Sequence, residues 1–428
     1  MTSALAITFF VGLILSIPIA LTMLLATLIP GAVDPTFAAD VAYIVRGIIG
    51  GADSTPILAV PLFMLSGIIM ARGGISEKLF NVFVFIFGKM KAGLPCTVII
   101  TCLFYGAISG SGPATCAAVG SMAIPVLLKL GYDKEFCGAI CGTAGGLGVI
   151  IPPSIPFILF GLATGASIGN LFIAGILPGI LIAICLCGYA IFYCIRHGED
   201  KEKIAQMVDE LRSRGFGKVL LDSFWALLTP VIILGGIYSG IATPTEAACI
   251  SVFYSLIVSF FLYKTVKLRD IMPILEESVR SYAPLCLMLT LATVLGRVLT
   301  LLQLPNVISQ FITTYCSSKL VFLLALDIIL LILGMFMDCA PAIMILGPML
   351  LPVAKAMGIS EIHLGVIMVV NLAVGFITPP FGVNLFVASR LIDVPVLALG
   401  KKVLPFIATF IIALLMITFI PALSLALL

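Results

Sequence analysis

The chain has 428 residues, of which 61% are hydrophobic and only 10% are charged, and its formal net charge is +3. Because one membrane-spanning helix needs about 20 mainly apolar residues, this composition predicts an all-α polytopic membrane protein and excludes a sizeable soluble domain. The small net charge gives no indication of a nucleic-acid partner, and the expected surroundings are membrane lipid.

The first part of the chain predicts apolar helices and two kinds of interruption. A first helix over about 4–29 lacks the basic segment and cleavage site of a removable signal peptide, so we expect it to stay in the membrane. The motif GAISGSGPAT interrupts the apolar segment 94–128, which predicts two half-helices that meet in a re-entrant hairpin. The helix predicted over 136–167 is broken by the adjacent prolines Pro152 and Pro153.

The middle of the chain contains the longest polar stretch, residues 196–218, which predicts an amphipathic helix in a solvated loop. In the motif TPTEAA, Glu246 begins a helix, and we expect it to cap that helix because a carboxylate in the first turn is favourable. A further apolar segment over 282–303 is interrupted only by Arg297.

The last part of the chain repeats the pattern of the first. The motif GMFMDCAPA interrupts the apolar segment 319–356, which predicts a second hairpin. The helix predicted over 362–389 contains the prolines Pro379 and Pro380, and a final helix is predicted over 403–428.

A fixed spacing relates the two copies. Pro379 minus Pro152 is 227, and Gly375 minus Gly148 is also 227. Lys and Arg favour cytoplasmic loops, and their positions predict that the first hairpin enters from the cytoplasm and the second from outside. The sequence therefore predicts inverted repeats, a construction typical of secondary transporters. The predicted domains are N-terminal scaffold helices (1–90), a first transport-domain repeat (91–170), scaffold and connecting helices with the cytoplasmic loop (171–316), a second repeat (317–390) and a C-terminal helix (391–428).

Each proline pair is expected to expose backbone oxygen atoms at membrane depth. Proline has no backbone N–H, so carbonyls four residues earlier lose their helical partners, which is tolerated only inside protein or beside a cavity. Unwound segments of this kind coordinate Na⁺ in transporters, so we predict two or more Na⁺ ions; the alternative is that these residues only let helices pack closely. The predicted ligands are Ser109, Gly110, Ser111, Gly148, Ile151, Pro153 and Ser154 at the first site, and Gly334, Asp338, Ala340, Gly375, Thr378 and Phe381 at the second.

Charges and polar side chains near the breaks suggest the substrate. Half-helix N-termini at the hairpin tips present N–H groups to an anion, which favours a substrate that carries a carboxylate. Asp338 is singled out because an intramembrane carboxylate is costly and usually functional. Thr115 and Asn384 are predicted to contact the substrate, although Asn384 could instead fix the break. Arg297 is predicted to bind the carboxylate, with a structural ion pair or an interfacial position as alternatives.

The chain contains no arrangement typical of an enzyme. Its two histidines lie in or beside polar loops, and no metalloprotease or phosphate-binding glycine motif is present. We therefore predict no catalytic residue and no enzymatic activity.

The long motifs together resemble those of a known transporter family. They are GAISGSGPATCAAVGSMAIP, GLGVIIPPSIPFILFG, TPTEAA, GMFMDCAPAIMILGPMLLP and GFITPPFGVNLFVAS, in this order. The chain resembles the large membrane subunit of a tripartite ATP-independent periplasmic (TRAP) transporter, and the resemblance covers nearly its whole length.

This resemblance implies an elevator-type fold, in which a transport domain slides against a scaffold, in a bacterial inner membrane. It implies Na⁺-coupled uptake of an organic acid, such as a C4-dicarboxylate or a sialic acid, without ATP hydrolysis. It also implies two partners, a small four-helix membrane subunit, which we expect not to be fused to this chain, and a periplasmic substrate-binding protein. The alternatives are a self-sufficient Na⁺/carboxylate symporter with similar hairpins and a membrane scaffold that does not transport.

Overall fold

The fold is built from helices throughout the part of the chain that the structure describes. The computed structural model describes all residues except 16, 305, 306, 308, 309, 311–317 and 380. The helices are α1 (Thr2–Ile14), α2 (Ile19–Val33), α3 (Val41–Ala52), α4 (Ala59–Arg72), α5 (Ile75–Phe87), α6 (Gly93–Ser109), α7 (Gly112–Lys129), α8 (Lys134–Gly145), α9 (Ile155–Thr164), α10 (Ile168–His197), α11 (Lys201–Ser213), α12 (Phe216–Tyr238), α13 (Pro244–Ile257), α14 (Ile271–Leu301), α15 (Lys319–Phe336), α16 (Cys339–Ala356), α17 (Glu361–Gly375), α18 (Val383–Ile392), α19 (Val396–Phe419) and α20 (Ala422–Leu425).

Many of these helices have the length and composition of membrane spans. Within the described residues, nine helical segments are long and apolar enough to cross a bilayer. The prediction of an all-α polytopic membrane protein is therefore confirmed.

The single first helix predicted over 4–29 is wrong. Two shorter helices, α1 and α2, take its place and pack against each other. Pro18 immediately precedes α2, and the residue before a proline disfavours helical backbone. Each helix has too few residues to span a membrane straight through at about 20 residues per crossing.

The first hairpin consists of α6 and α7, which lie within the segment where the sequence predicts it. The two helices are joined at Gly110, whose φ of 62° is left-handed and therefore suits a residue without a side chain. The broken helix that follows consists of α8, a 3₁₀ turn at Gly146–Val149 and α9. Its interruption contains Pro152 and Pro153, as the sequence predicts.

The second hairpin consists of α15 and α16, and the second broken helix consists of α17 and α18. The α17 helix ends at Gly375, four residues before Pro379. Residue 317, where the predicted second repeat begins, and Pro380 of the second proline pair lie outside the described residues.

Both broken helices lie at the centre of the protein. Every residue of α8 from Phe136 to Gly145 is buried, as is every residue of α17 from Ile362 to Gly375. A helix that is apolar on all sides belongs in the interior. The first interruption, residues 146–154, is buried throughout, whereas Thr378, Pro379 and Phe381 of the second are partly exposed. Enclosure by protein, the condition for irregular structure at membrane depth, is therefore complete only at the first interruption.

The polar loop forms the amphipathic helix α11, which docks on the end of α5. Its apolar face buries Ile204, Val208 and Leu211. The Nζ atom of Lys89 lies 2.5 Å from a carboxylate oxygen of Asp209. One face of this helix is therefore packed against the membrane helices instead of being solvated on all sides.

The expected capping role of Glu246 is confirmed. Thr243 and Glu246 form a capping box at the start of α13, with the Thr243 N–H donating to the Glu246 carboxylate at 2.7 Å. This exchange satisfies N–H groups that a helix start leaves without partners.

Candidate functional site

The first hairpin and the first broken helix meet through glycines. A methyl group built on Gly106 would lie 2.7 Å from the Cα atom of Gly148. A methyl group on Gly148 would lie 2.3 Å from the Thr115 hydroxyl oxygen and 2.7 Å from the Ser111 carbonyl oxygen. The sequence has glycine at 106 and 148 because the two backbones approach too closely for a side chain. We call this contact the first junction.

Hydrogen bonds order the first tip and join it to the break. The Ser109 and Thr115 hydroxyl oxygens lie 2.7 Å apart, and the Ser111 N–H donates to the Ser109 hydroxyl at 3.4 Å. The Ile155 N–H, which begins α9, donates to the Gly110 carbonyl at 3.3 Å. The structure thus brings Ser109, Ser111 and Thr115 together beside Gly148, with hydroxyl and carbonyl oxygens that are suitable for a hard cation.

The side chains of Ser154 and Ile151 make contacts that stabilise the fold, which the sequence does not predict. The Ser154 hydroxyl donates to the Val149 carbonyl, one of the groups that Pro153 leaves without a partner, and accepts from the Phe157 N–H at 3.4 Å. Ser154 therefore repairs the break and caps α9. The Ile151 side chain packs against Gly179 of α10. Because this side chain is a hydrocarbon, only the backbone carbonyl of Ile151 is available as a ligand.

The second hairpin and the second broken helix meet in the same way. A methyl group built on Gly375 would lie 2.4 to 2.5 Å from three backbone atoms of Gly334. We call this contact the second junction. Gly334 and Gly106 are related by an offset of 228, and Gly375 and Gly148 by 227, so the two repeats use equivalent glycines.

In the second break, nearby N–H and hydroxyl groups donate hydrogen bonds to the carbonyls that the break exposes. The Thr378 N–H donates to the Gly375 carbonyl at 3.1 Å, and its hydroxyl donates to the Val374 carbonyl at 2.7 Å. The Asn384 N–H donates to the Phe376 carbonyl at 2.9 Å. Thr378 therefore lies beside Gly375. The Gly375 and Phe376 carbonyls each retain a lone pair, whereas the Val374 carbonyl also accepts from the Ile377 N–H at 3.1 Å.

Asp338 and Phe381 lie at the accessible side of the second tip. Asp338 is exposed, and its carboxylate accepts from the Ala340 N–H at 3.2 Å, which caps α16. The rings of Phe381 and Phe336 are 5.8 Å apart, and both are largely exposed. The described contacts do not join the Asp338 carboxylate to the second junction.

Replacing Asp338 with asparagine should separate its capping role from its charge. Asparagine is a comparable cap, whereas alanine costs about 1 kcal/mol at such a position. If the charge binds a cation, both variants lose Na⁺ affinity, as measured by the Na⁺ concentration for half-maximal uptake. If Asp338 only caps α16, D338N keeps wild-type affinity and D338A lowers thermal stability, which would contradict its assignment as a ligand.

Asn384 connects the two repeats. Its side-chain amide nitrogen donates to the Gly142 carbonyl of α8 at 3.2 Å, and its backbone carbonyl accepts from the Cys116 thiol at 3.7 Å. A methyl group built on Gly112, in the first turn of α7, would lie 3.3 Å from both side-chain polar atoms. The side chain therefore ties α18 to α8 of the first repeat, its Oδ1 atom is buried without a partner, and its contact with the substrate stays a prediction.

Arg297 is not brought to either tip. It lies exposed on α14 and has no hydrogen bond or ion pair with any described residue. Its place on the outer surface matches the interfacial alternative, and the structure does not join it to Thr115 or Asn384.

The sequence does not predict the cavity that lies beside the first tip. It has a volume of about 590 Å³ and lies between the first hairpin, α4 and α14. The start of α7 borders it through Ser111, Pro113 and Ala114. Pro113 has no N–H and the Ser111 N–H donates to the Ser109 hydroxyl, so the helix-start donor at the wall of this cavity is the Ala114 N–H. Arg72 and Glu277 face each other there, with 2.5 Å between a guanidinium nitrogen and a carboxylate oxygen. Neither Arg72 nor Glu277 stands out in the sequence as a site residue, because both are charged residues near the end of a helix.

The fold and the paired junctions define a class of polytopic membrane proteins built from two hairpins and two broken helices. The transporter YdaH of Alcanivorax borkumensis shares this fold, with a TM-score of 0.63 at 16% identity over 89% of this chain and 88% of that one. MtrF of Neisseria gonorrhoeae is also similar, with a TM-score of 0.61 at 14% identity over 88% of this chain and 82% of that one. At such identities the likeness concerns the fold alone.

The family follows from the sequence. The DctM component of tripartite ATP-independent periplasmic transporters matches residues 5–423, and the chain belongs to this family. It is 40% identical to the isethionate TRAP transporter permease protein DctMQ of Oleidesulfovibrio alaskensis, over 97% of this chain and 64% of that longer protein. It is 40% identical to the C4-dicarboxylate large permease protein DctM of Pseudomonas aeruginosa (87% and 86% covered) and 35% identical to the sialic acid large permease protein SiaM of Vibrio cholerae (92% and 90% covered). The predicted family is confirmed, and its members are transporter permeases, not enzymes.

Proposed function

We propose that this large permease subunit carries out Na⁺-coupled secondary active uptake of a carboxylate-bearing organic acid, of the sialic acid or C4-dicarboxylate class. The observation that carries the proposal is the pair of equivalent junctions, each of which places a hairpin tip against a broken helix. Carbonyl and hydroxyl oxygens at such interruptions suit Na⁺.

The Na⁺ ions are proposed to bind at the two junctions. At the first, oxygen atoms of Ser109, Ser111 and Thr115 lie around Gly148. At the second, the carbonyl of Gly375 and the hydroxyl of Thr378 are the corresponding groups. Binding there would stabilise the packing of each hairpin against its broken helix, so that ion binding and the shape of the tip are linked.

The substrate anion is proposed to occupy the cavity beside the first tip. The first turn of α7 borders this cavity, and the partial positive charge of a helix start attracts an anion. The names of the relatives cover dicarboxylate, sialic acid and isethionate, a sulfonate. What these compounds share is an acidic group, which supports recognition of the anionic end of the substrate at α7.

The transport complex is proposed to contain a small membrane subunit and a periplasmic substrate-binding protein. The tripartite character of the DctM family supports both partners and a position in the bacterial inner membrane. The positions of the basic residues support inverted repeats. Two hairpins packed against the interruptions of central broken helices are suited to an elevator movement of a transport domain against a scaffold.

Reconstitution tests the proposal against a self-sufficient symporter. The chain and its small subunit are placed in liposomes, and uptake of labelled succinate, N-acetylneuraminate and isethionate is measured with and without the matching binding protein. We expect uptake only with an inward Na⁺ gradient and the binding protein present, and none when K⁺ replaces Na⁺. Uptake without the binding protein would contradict the tripartite arrangement, and uptake without Na⁺ would contradict the coupling.

A further inference from the structure

A buried polar pair, Asp327 and Asn371, lies inside the second repeat and outside both junctions. Asp327 is in the middle of α15 and is 3% exposed, and Asn371 on α17 is fully buried. The Asn371 amide nitrogen donates to one carboxylate oxygen of Asp327 at 2.9 Å, and the Thr418 hydroxyl of α19 donates to the same oxygen at 3.3 Å. Three helices therefore meet at this carboxylate.

Two oxygen atoms of this pair have no partner. The second carboxylate oxygen of Asp327 and the side-chain oxygen of Asn371 are buried without a hydrogen bond. Asp327 makes no ion pair within the described part of the chain. A buried carboxylate with no counter-charge is strongly unfavourable, and intramembrane carboxylates commonly mark ion pathways.

The other titratable side chain in this cluster does not provide the counter-charge. His363 lies two turns before Asn371 on α17, and its Nε2 atom is 3.2 Å from the Thr418 carbonyl oxygen. Because that oxygen can only accept, Nε2 carries the proton. The Nδ1 atom is buried without a partner, so the imidazole is best described as neutral.

The pair lies directly behind the second junction. Asp327 precedes Gly334 by seven residues, which is two helical turns, or about 10 Å along the same face of α15. Asn371 precedes Gly375 by four residues, about one turn along α17. Anything that binds at the pair therefore acts on the same two helices that form the second junction.

The first repeat shows that the packing does not need a polar pair. Subtracting the repeat offsets gives 327 − 228 = 99 and 371 − 227 = 144, which are Ile99 and Ala144. Both are fully buried. The positions equivalent to Asp327 and Asn371 are thus apolar in the first repeat, and the polar pair is a specialisation of the second repeat.

We propose that Asp327 and Asn371 form an additional Na⁺ site, present only in the second repeat. A carboxylate oxygen and an amide oxygen without hydrogen bonds are hard ligands of the kind that a small cation prefers. The ion supplies the counter-charge that the protein lacks, and it ties α15 to α17 behind the junction. This proposal rests on the proposed Na⁺ coupling and adds one ion to it.

Binding of ²²Na⁺ to the purified full-length chain, titrated without any organic acid, tests the proposal. We expect D327N, which keeps the size and removes the charge, to bind one equivalent of Na⁺ fewer than the wild type. The control T418V removes one hydrogen-bond donor, keeps both free oxygens and should bind as many ions as the wild type. If D327N does not fold, N371L should weaken the last Na⁺ to bind by about tenfold or more.

The outcomes separate this proposal from the function on which it rests. If the wild type binds no Na⁺, the Na⁺ coupling itself is wrong. If the wild type binds Na⁺ and D327N binds the same number of ions, the additional site is wrong and the pair is structural. If D327N does not fold and N371L binds Na⁺ as the wild type does, the additional site is likewise wrong.

Discussion

Replacing Gly375 with alanine is expected to reduce Na⁺-dependent uptake by about 5- to 150-fold. Gly375 is the last residue of α17, where the helix propensity of alanine has less weight than in a helix interior. The added methyl group, however, would lie 2.4 to 2.5 Å from three backbone atoms of Gly334. Backbone cannot rotate away as a side chain can, so the hairpin and the broken helix must separate. Overpacking costs about 1–3 kcal/mol or more, which corresponds to about 5- to 150-fold in binding at the second junction.

A glycine in open surroundings provides the matched control. Gly235, within α12, has no atom within 4 Å of a built methyl group. G235A should keep uptake within about twofold of the wild type, because surface changes of this kind alter stability by about 0.5 kcal/mol. Uptake is measured in liposomes with the Na⁺ gradient, after the amount of inserted protein has been matched. Wild-type uptake by G375A would show that the second junction is not part of the transport site.

The fold was largely predictable because its strongest signals are local. Gly-Ser-Pro runs and proline pairs interrupt helices wherever they occur, so both hairpins and both broken helices could be placed from the sequence. The pair α1 and α2 was not predicted, since Pro18 lies in a segment that remains apolar throughout. The end of a helix is visible in the sequence, but the direction in which the next helix leaves depends on what it packs against.

The candidate site was predictable where backbone forms it and less so where side chains do. Gly148 and Gly375 were correctly placed opposite the hairpin tips, because the repeat spacing relates them. The roles of Ser154 and Asn384 depend on the three-dimensional position of Val149 and Gly142, which the sequence does not reveal. Asp327 could have been noticed as an acidic residue in an apolar segment, but its pairing with Asn371 needs the packing of α15 on α17.

Replacing Gly148 with alanine is expected to reduce Na⁺-dependent uptake at least about fivefold, by the same overpacking cost. Here the nearest atom to the added methyl group belongs to a side chain, the Thr115 hydroxyl at 2.3 Å, and the Ser111 carbonyl follows at 2.7 Å. Moving the Thr115 hydroxyl breaks its 2.7 Å contact with Ser109. The expected defect is therefore mainly a higher Na⁺ concentration for half-maximal uptake.

Because a side chain causes the first clash, a second substitution should relieve part of it. In G148A/T115A the hydroxyl is absent, so the Na⁺ concentration for half-maximal uptake should return toward that of T115A alone. The backbone clash at Gly375 has no such remedy, and this difference distinguishes the two junctions. G188A, in α10 with no atom within 4 Å of the built methyl group, is the control. If G148A/T115A is as defective as G148A, the contacts that the double variant keeps, with the Ser111 carbonyl at 2.7 Å and the Cβ atom of residue Thr115 at 2.9 Å, decide the shape of the first tip, and the Thr115 hydroxyl is not a determinant of it.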